Sequence, residues 1–174
     1  MELWDIYDAN RIRTDELMVR GEVMKEGHFH LVVHVCIFNT EGKMLIQKRQ
    51  SYKEGWPDRW DLTVGGSAVN GENSQAAAER ELFEELGISV SLKNVRPHMT
   101  INFERGFDDY YLIEKDVVLS SLKLQEEEVQ DARWAGRSEI LEMIRSGEFI
   151  PYYESLISFM FDQRKHYGSL DRNK

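Results

Sequence analysis

Apolar and polar residues alternate from Leu3 to Asp8, which predicts an opening strand. Ala9-Asn10 offers a turn, and the segment to Arg20 reads as a second short strand or an extended arm. Gly21 to Gly27 is polar and reads as a loop. His28 to Phe38 is a strong strand, Asn39-Thr40-Glu41-Gly42 turns it, and Met44 to Gln47 returns. That hairpin is expected in the middle of a sheet. Asp61 to Val64 forms a short strand that delivers Gly65-Gly66. A helix follows. Asn73 or Ser74 can cap it, Ala78, Leu82 and Leu86 give it an apolar stripe, and Gly87 suits its end. Ile88 to Leu92, Val95 to Phe103, Tyr110 to Leu119 and Val129 to Trp134 read as strands, with a polar loop at Glu104 to Asp109. Ser138 to Arg145 is an amphipathic helix with Ser138 as its cap. Pro151 to His166 is another, with Pro151 in its first turn, and Tyr167 onward is expected to fray.

Composition narrows the class. A chain of 174 residues suits one domain with a real core, and its 41% hydrophobic and 30% charged content reads as soluble and globular. The net charge of −9 argues against a general nucleic-acid or membrane-surface binder, which would present a basic face. Cys36 is the single cysteine, so no intrachain disulfide forms and a reducing, cytoplasmic setting is expected. Mid-strand, it reads as a small core residue. No apolar run approaches the roughly 20 residues of a membrane span, and Met1 to Asp5 lacks the pattern of a signal peptide.

The chemistry gathers around Gly65-Gly66 and the helix after them. A glycine pair lets backbone approach a ligand closely. Glu81, Glu84 and Glu85 lie at i, i+3 and i+4, so they share one helix face and repel one another. A hard cation such as Mg²⁺, which prefers oxygen ligands, would relieve that repulsion. Lys48 to Lys53 is the clearest local positive cluster, just upstream. Trp56-Pro57-Asp58-Arg59-Trp60 is expected to anchor its loop by packing, with a pocket wall as the alternative. Glu126-Glu127-Glu128 reads as a solvated face. The five histidines show no helical metal-ligand spacing; His28, His30 and His34 share one strand face and read as structural or pocket-lining.

Gly66, five residues, Glu72, seven residues, then Arg80-Glu81-Leu82-Phe83-Glu84-Glu85-Leu86-Gly87-Ile88 matches the Nudix box at every fixed position. Leu3 to Asp8, His30 to His34, Leu45 to Arg49, Lys53, Trp56-Pro57 and Trp60-Asp61 further resemble the Nudix branch related to isopentenyl-diphosphate isomerase. The resemblance implies an α/β fold, the Nudix α/β/α sandwich with a mixed central sheet. It implies a single domain over 1–174, with an N-terminal strand and arm at 1–27 and C-terminal helices at 138–174. It implies hydrolysis of a small-molecule phosphoanhydride, a nucleoside diphosphate derivative, by water attack on phosphorus with Mg²⁺ or Mn²⁺. Glu81, Glu84, Glu85 and the Gly65 carbonyl match metal ligands; Glu72 and Arg80 match a bracing pair; Arg49 and Lys53 match contacts to the diphosphate. For the general base it offers Asp109 or Asp108, a box glutamate, or the run Glu126 to Glu128. No nucleic-acid polymer or membrane is expected as partner, and a homodimer stays open. Three classes remain: a hydrolase, the isomerase, and a non-catalytic nucleotide-binding module. The complete set of box glutamates speaks against the last. Laid on this chain, the isomerase pattern puts its cysteine at Gly65 and metal histidines at Ser67 and near Val23, keeps His30, and puts its glutamate near Asp109.

Overall fold

The computed structural model describes residues 2–171. An N-terminal hairpin comes first, from β1 (Leu3–Tyr7) and β2 (Arg13–Val19). Then come β3 (His30–Phe38), β4 (Met44–Arg49), β5 (Trp60–Asp61), β6 (Val64–Ser67), α1 (Ser74–Leu86), β7 (Met99–Phe103), β8 (Gly106–Glu114), β9 (Val129–Ala135), α2 (Arg137–Ser146) and α3 (Glu154–Gln163). Strands β3 to β9 form one sheet, mixed because β3 and β8 run parallel while the other pairs are antiparallel.

The centre of this sheet divides. β3 and β4 share register only at Phe38–Met44. They then separate, and the segment of β5 and β6 enters between them. β5 pairs with Gln47 and Lys48 of β4, and β6 pairs with Val32 to Val35 of β3. Buried Thr63 joins the two sides where the segment crosses: its hydroxyl donates to the Leu45 carbonyl and accepts from the Ile37 N–H. The expected central hairpin is therefore present, split by the strand that carries the glycines.

Each sheet face buries its own core. Val33, Val35, Ile37 and Leu45 pack under Ala77, Ala78, Leu82 and Leu86 of α1. Cys36, Phe38, Met44 and Ile46 pack under Ile140 and Met143 of α2 and Ile157, Met160 and Phe161 of α3. The buried Cys36 thiol lies 3.9 Å from the Met160 sulfur, in the core as expected. This is an α/β/α sandwich. No helix among the described residues is long and apolar enough to cross a membrane.

Some expected elements differ. Ile88 to Leu92 is not a strand: the Ile88 N–H closes the α1 terminus on the Leu82 carbonyl, and the Leu92 N–H is taken by the Glu79 carboxylate. Their apolar side chains fill the core without a ladder. The strand expected from Val95 begins at Met99, and the one expected to reach Leu119 ends at Glu114. Gly106 to Asp109 belongs to β8, not to a loop. Ser138 lies inside α2, whose N-cap is Gly136. Pro151 precedes α3, because Trp60 holds the Glu148 carbonyl and the Ile150 N–H and keeps that stretch extended. Trp60 packs as expected, but Trp56 is 51% exposed. Tyr167 is docked, stacked on His98 at 4.2 Å with its hydroxyl donating to the Arg96 carbonyl; residues 172–174 lie outside the described part.

Candidate active site

Local signals fix α1. The Asn73 side chain accepts from the Ala76 N–H at 2.9 Å, and Gly87 takes the left-handed conformation at the other end. With its apolar stripe on the sheet, the helix leans Glu81 and Glu85 over the β4–β6 gap. The glycines of β6 make room on opposite faces of the strand. A Cβ at Gly66 would stand 2.1 Å from a Glu81 carboxylate oxygen, and one at Gly65 would stand 2.5 Å from the His34 ring.

Arg80 organises the acids. Its guanidinium forks onto Glu72 at 2.8 and 3.1 Å and donates to Glu81 and Glu84, each at 2.9 Å, and to the Ser67 carbonyl at 3.0 Å. Glu72 in turn accepts from the Val69 N–H at 3.0 Å. A lysine can replace the charge but not the planar fork. Arg80→Lys should therefore lower kcat roughly tenfold or more, the scale of outer-shell partners at metal sites. Parental kinetics in that variant would remove Arg80 from the supporting structure.

Glu85 is buried and accepts from the Gln47 side chain at 2.7 Å. Burial pushes its carboxyl well above the ordinary range, and the nearby Glu81 charge adds to this. Burial also raises Glu81, against the pull of Arg80. The Gln47 side-chain oxygen beside Glu85 is buried without a hydrogen-bond partner among the described residues. Two crowded carboxylates held above their usual pKa, beside an unsatisfied oxygen, form an oxygen-rich, electron-rich site that fits a hard divalent cation. Among the described residues no three acidic, imidazole or thiol groups already converge at coordinating positions; Arg80 and Gln47 occupy the carboxylates instead.

Arg80, Glu81 and Glu85 line a polar cavity of about 760 Å³. Gly65, Glu81, Glu84, Glu85, Arg49 and Lys53 all border it. Arg49 donates to the Gly55 carbonyl at 3.0 Å and to Asp61 at 3.4 Å, while Lys53 pairs with Glu128. Glu127 and Glu128 border the cavity too, so the acidic run is not merely a solvated face; the exposed Glu126 is not among the lining residues. His34 lines the cavity floor, while His30 is buried against Trp4, with ring centroids 4.3 Å apart.

The two aspartates considered as bases part company. Asp108, not itself a lining residue, meets the Nδ1 of cavity-lining His34 at 2.7 Å. Asp109 points the other way: fully buried, it accepts from Arg11 and Thr100 and does not reach the cavity. Alternation along β8 is the reason, since neighbouring residues face opposite sides. Sequence reasoning named Asp108, His34 and Arg49 separately but missed Gln47 and the chain Asp108–His34–Tyr152–Asp61–Arg49 that joins them, in which the Tyr152 hydroxyl donates to Asp61 at 2.8 Å and lies 3.4 Å from His34. These groups come from distant segments with no shared local signal. Only the even spacing of the histidines hinted at His34.

The NUDIX domain family matches residues 28–153. The chain is 55% identical over 153 residues to the uncharacterized Nudix hydrolase lmo0368 of Listeria monocytogenes, covering 88% of this chain and 90% of that protein. It is 30% identical over 122 residues to an isopentenyl-diphosphate Delta-isomerase of Citrobacter koseri, covering 66% of each. The fold resembles the crystal structure of DR0079 from Deinococcus radiodurans, with a TM-score of 0.71 at 21% identity over 91% of this chain and 97% of that one. With more than half of the aligned residues identical to a Nudix hydrolase over about nine-tenths of both proteins, this chain belongs to the Nudix family of hydrolases.

Proposed function

We propose that this protein hydrolyses a phosphoanhydride bond of a nucleoside diphosphate derivative, with nucleoside di- and triphosphates as the first substrates to test. The observation that carries the reading is the shared cavity: the acidic face of α1 meets Arg49 and Lys53 across the glycine edge of β6. Phosphoryl transfer needs charge neutralised and water aligned, and asks little covalent work of the protein. Nudix hydrolases generally use divalent metal ions, and Mg²⁺ or Mn²⁺ held by Glu81, Glu84, Glu85 and the Gly65 carbonyl would supply charge neutralisation and a more acidic water. The chain's own groups do the rest. Arg49 and Lys53 exchange Asp61 and Glu128 for phosphate oxygens. Glu84, Glu127 and Glu128 line the cavity, and whichever of these carboxylates is left off the metal can accept the water's proton.

Removing both cations should raise KM more than it lowers kcat, because their contacts exist in ground and transition states alike. Losing charged hydrogen bonds predicts a rise of roughly tenfold to a hundredfold in Arg49→Ala/Lys53→Ala. Unchanged kinetics would return this stretch to the solvated surface.

The isomerase reading is less well supported. That chemistry needs a carbon-directed acid, and Gly65 offers no side chain and no space for one beside His34. Cys36 is buried on the far core, with its thiol pushed well up by burial. Purified protein with Mg²⁺ should release phosphate or nucleoside monophosphate from nucleotides and leave isopentenyl diphosphate unchanged. Dimethylallyl diphosphate without any nucleotide product would reverse the assignment. The packing of the N-terminal hairpin and of α2 and α3 on the same sheet supports treating the described residues, 2–171, as one domain.

A further inference from the structure

The hairpin of β1 and β2 lies outside the stretch matched by the NUDIX domain family, yet it grips the box. Asp5 of β1 is 6% exposed. One of its oxygens accepts from the Asn70 side-chain amide at 2.8 Å, and the other accepts from the Gly71 N–H at 2.8 Å. The Leu3 carbonyl accepts from the Asn70 N–H, also at 2.8 Å. These bonds hold a tight turn in which Gly71 has a φ of +87° and the Glu72 N–H returns to the Val69 carbonyl at 3.0 Å. Glu72 then carries the fork of Arg80, and Arg80 carries Glu81 and Glu84.

We propose that Asp5 is a positioning residue for the metal-binding face of α1, acting through the Asn70–Gly71 turn, Glu72 and Arg80. This rests on the reading of Glu81, Glu84 and Glu85 as metal ligands. A carboxylate with both oxygens engaged fixes the turn in position and orientation, whereas the turn's own closing bond fixes only its shape. Without the clamp the turn can shift, Glu72 moves with it, and the Arg80 fork no longer fits both partners. Outer-shell groups that orient ligands commonly govern metal affinity by roughly tenfold to a hundredfold. The competing role is local: Asp5 also pairs with Arg13 at 3.3 Å and so ties the hairpin to itself.

Mn²⁺ titration of the full chain without substrate, followed by the signal of free Mn²⁺ in electron paramagnetic resonance, separates the two roles when paired with thermal melts. Asp5→Asn keeps the shape but leaves one acceptor oxygen for the two donors, the Asn70 amide and the Gly71 N–H, and should raise the Mn²⁺ midpoint roughly tenfold. Asn70→Ala, at an exposed side chain, should raise it in the same direction. Arg13→Ala loosens the hairpin and should leave the midpoint at the parental value. Folded Asp5→Asn and Asn70→Ala proteins with parental midpoints would overturn the proposal, whatever their melting temperatures. If Asp5→Asn does not fold, Asn70→Ala alone decides. A parent that binds no Mn²⁺ would overturn the metal reading and this inference with it; a parent that binds Mn²⁺ with unshifted variants would overturn this inference alone.

Discussion

Glu85→Gln is expected to lower turnover at least about a hundredfold at saturating Mg²⁺, above the effect of many outer-shell changes because a ligand itself is lost. The same change should make the metal-free protein more stable. Glu85 is buried, and burial together with Glu81 holds its carboxyl well above the ordinary range. The native state therefore keeps a proton on Glu85 at pH values where the unfolded chain has released it. Stability from this group is present at acid pH and is lost as pH rises through the raised value. A neutral amide escapes that loss, and its NH₂ can serve the unpartnered Gln47 oxygen. The gain in melting temperature should thus be larger at pH 8 than at pH 5. Near-parental turnover in this variant would end the assignment of Glu85 as a ligand, and an equal or reversed melting shift at the two pH values would contradict the burial argument.

Arg11→Ala should cost about 2–3 kcal/mol of folding stability, below the ~3–5 kcal/mol of a pair buried on both sides because the Arg11 side chain is 35% exposed. Its guanidinium pairs with Asp109, which is fully buried, donates to Thr100 at 3.1 Å, and lies 5.6 Å from the centre of the Phe107 ring. Alanine would leave a carboxylate in the core without its cation. Arg11→Ala combined with Asp109→Asn should recover much of the loss, because the charge leaves with its partner. Urea melts measure both. A loss below about 1 kcal/mol, the worth of an exposed pair, would mean that water reaches Asp109.

The helix and its acids were legible because everything that specifies them is local. Asn73, the alanines, the apolar stripe and Gly87 lie within one stretch, and the structure places the helix ends there. The sheet was legible where apolar runs and ladders coincide, as in β3. It was misread where they separate. Ile88 and Leu92 are apolar core residues whose backbone is engaged by the helix end and by Glu79, so composition suggested a strand that geometry does not make. Asp108 and Asp109 gave the opposite error. Two adjacent aspartates suggested a loop, but each is matched inside the sheet by a distant partner, His34 and Arg11. Partners so far apart leave no trace in a window of neighbouring residues. The same reason hid Gln47 from the site and Asp5 from the box.

The parallel pairing of β3 with β8 bears on how the chain is made. It joins residues as distant as His30 and Gly106, with the glycine loop and α1 between them. During synthesis the most apolar strand emerges early and waits for most of the domain before that edge is covered. Such long-range pairing slows folding and leaves an open edge on which other chains can add. A nascent chain arrested before Gly106 should therefore bind chaperones and aggregate, and release past Glu114 should be the point at which protection from protease begins.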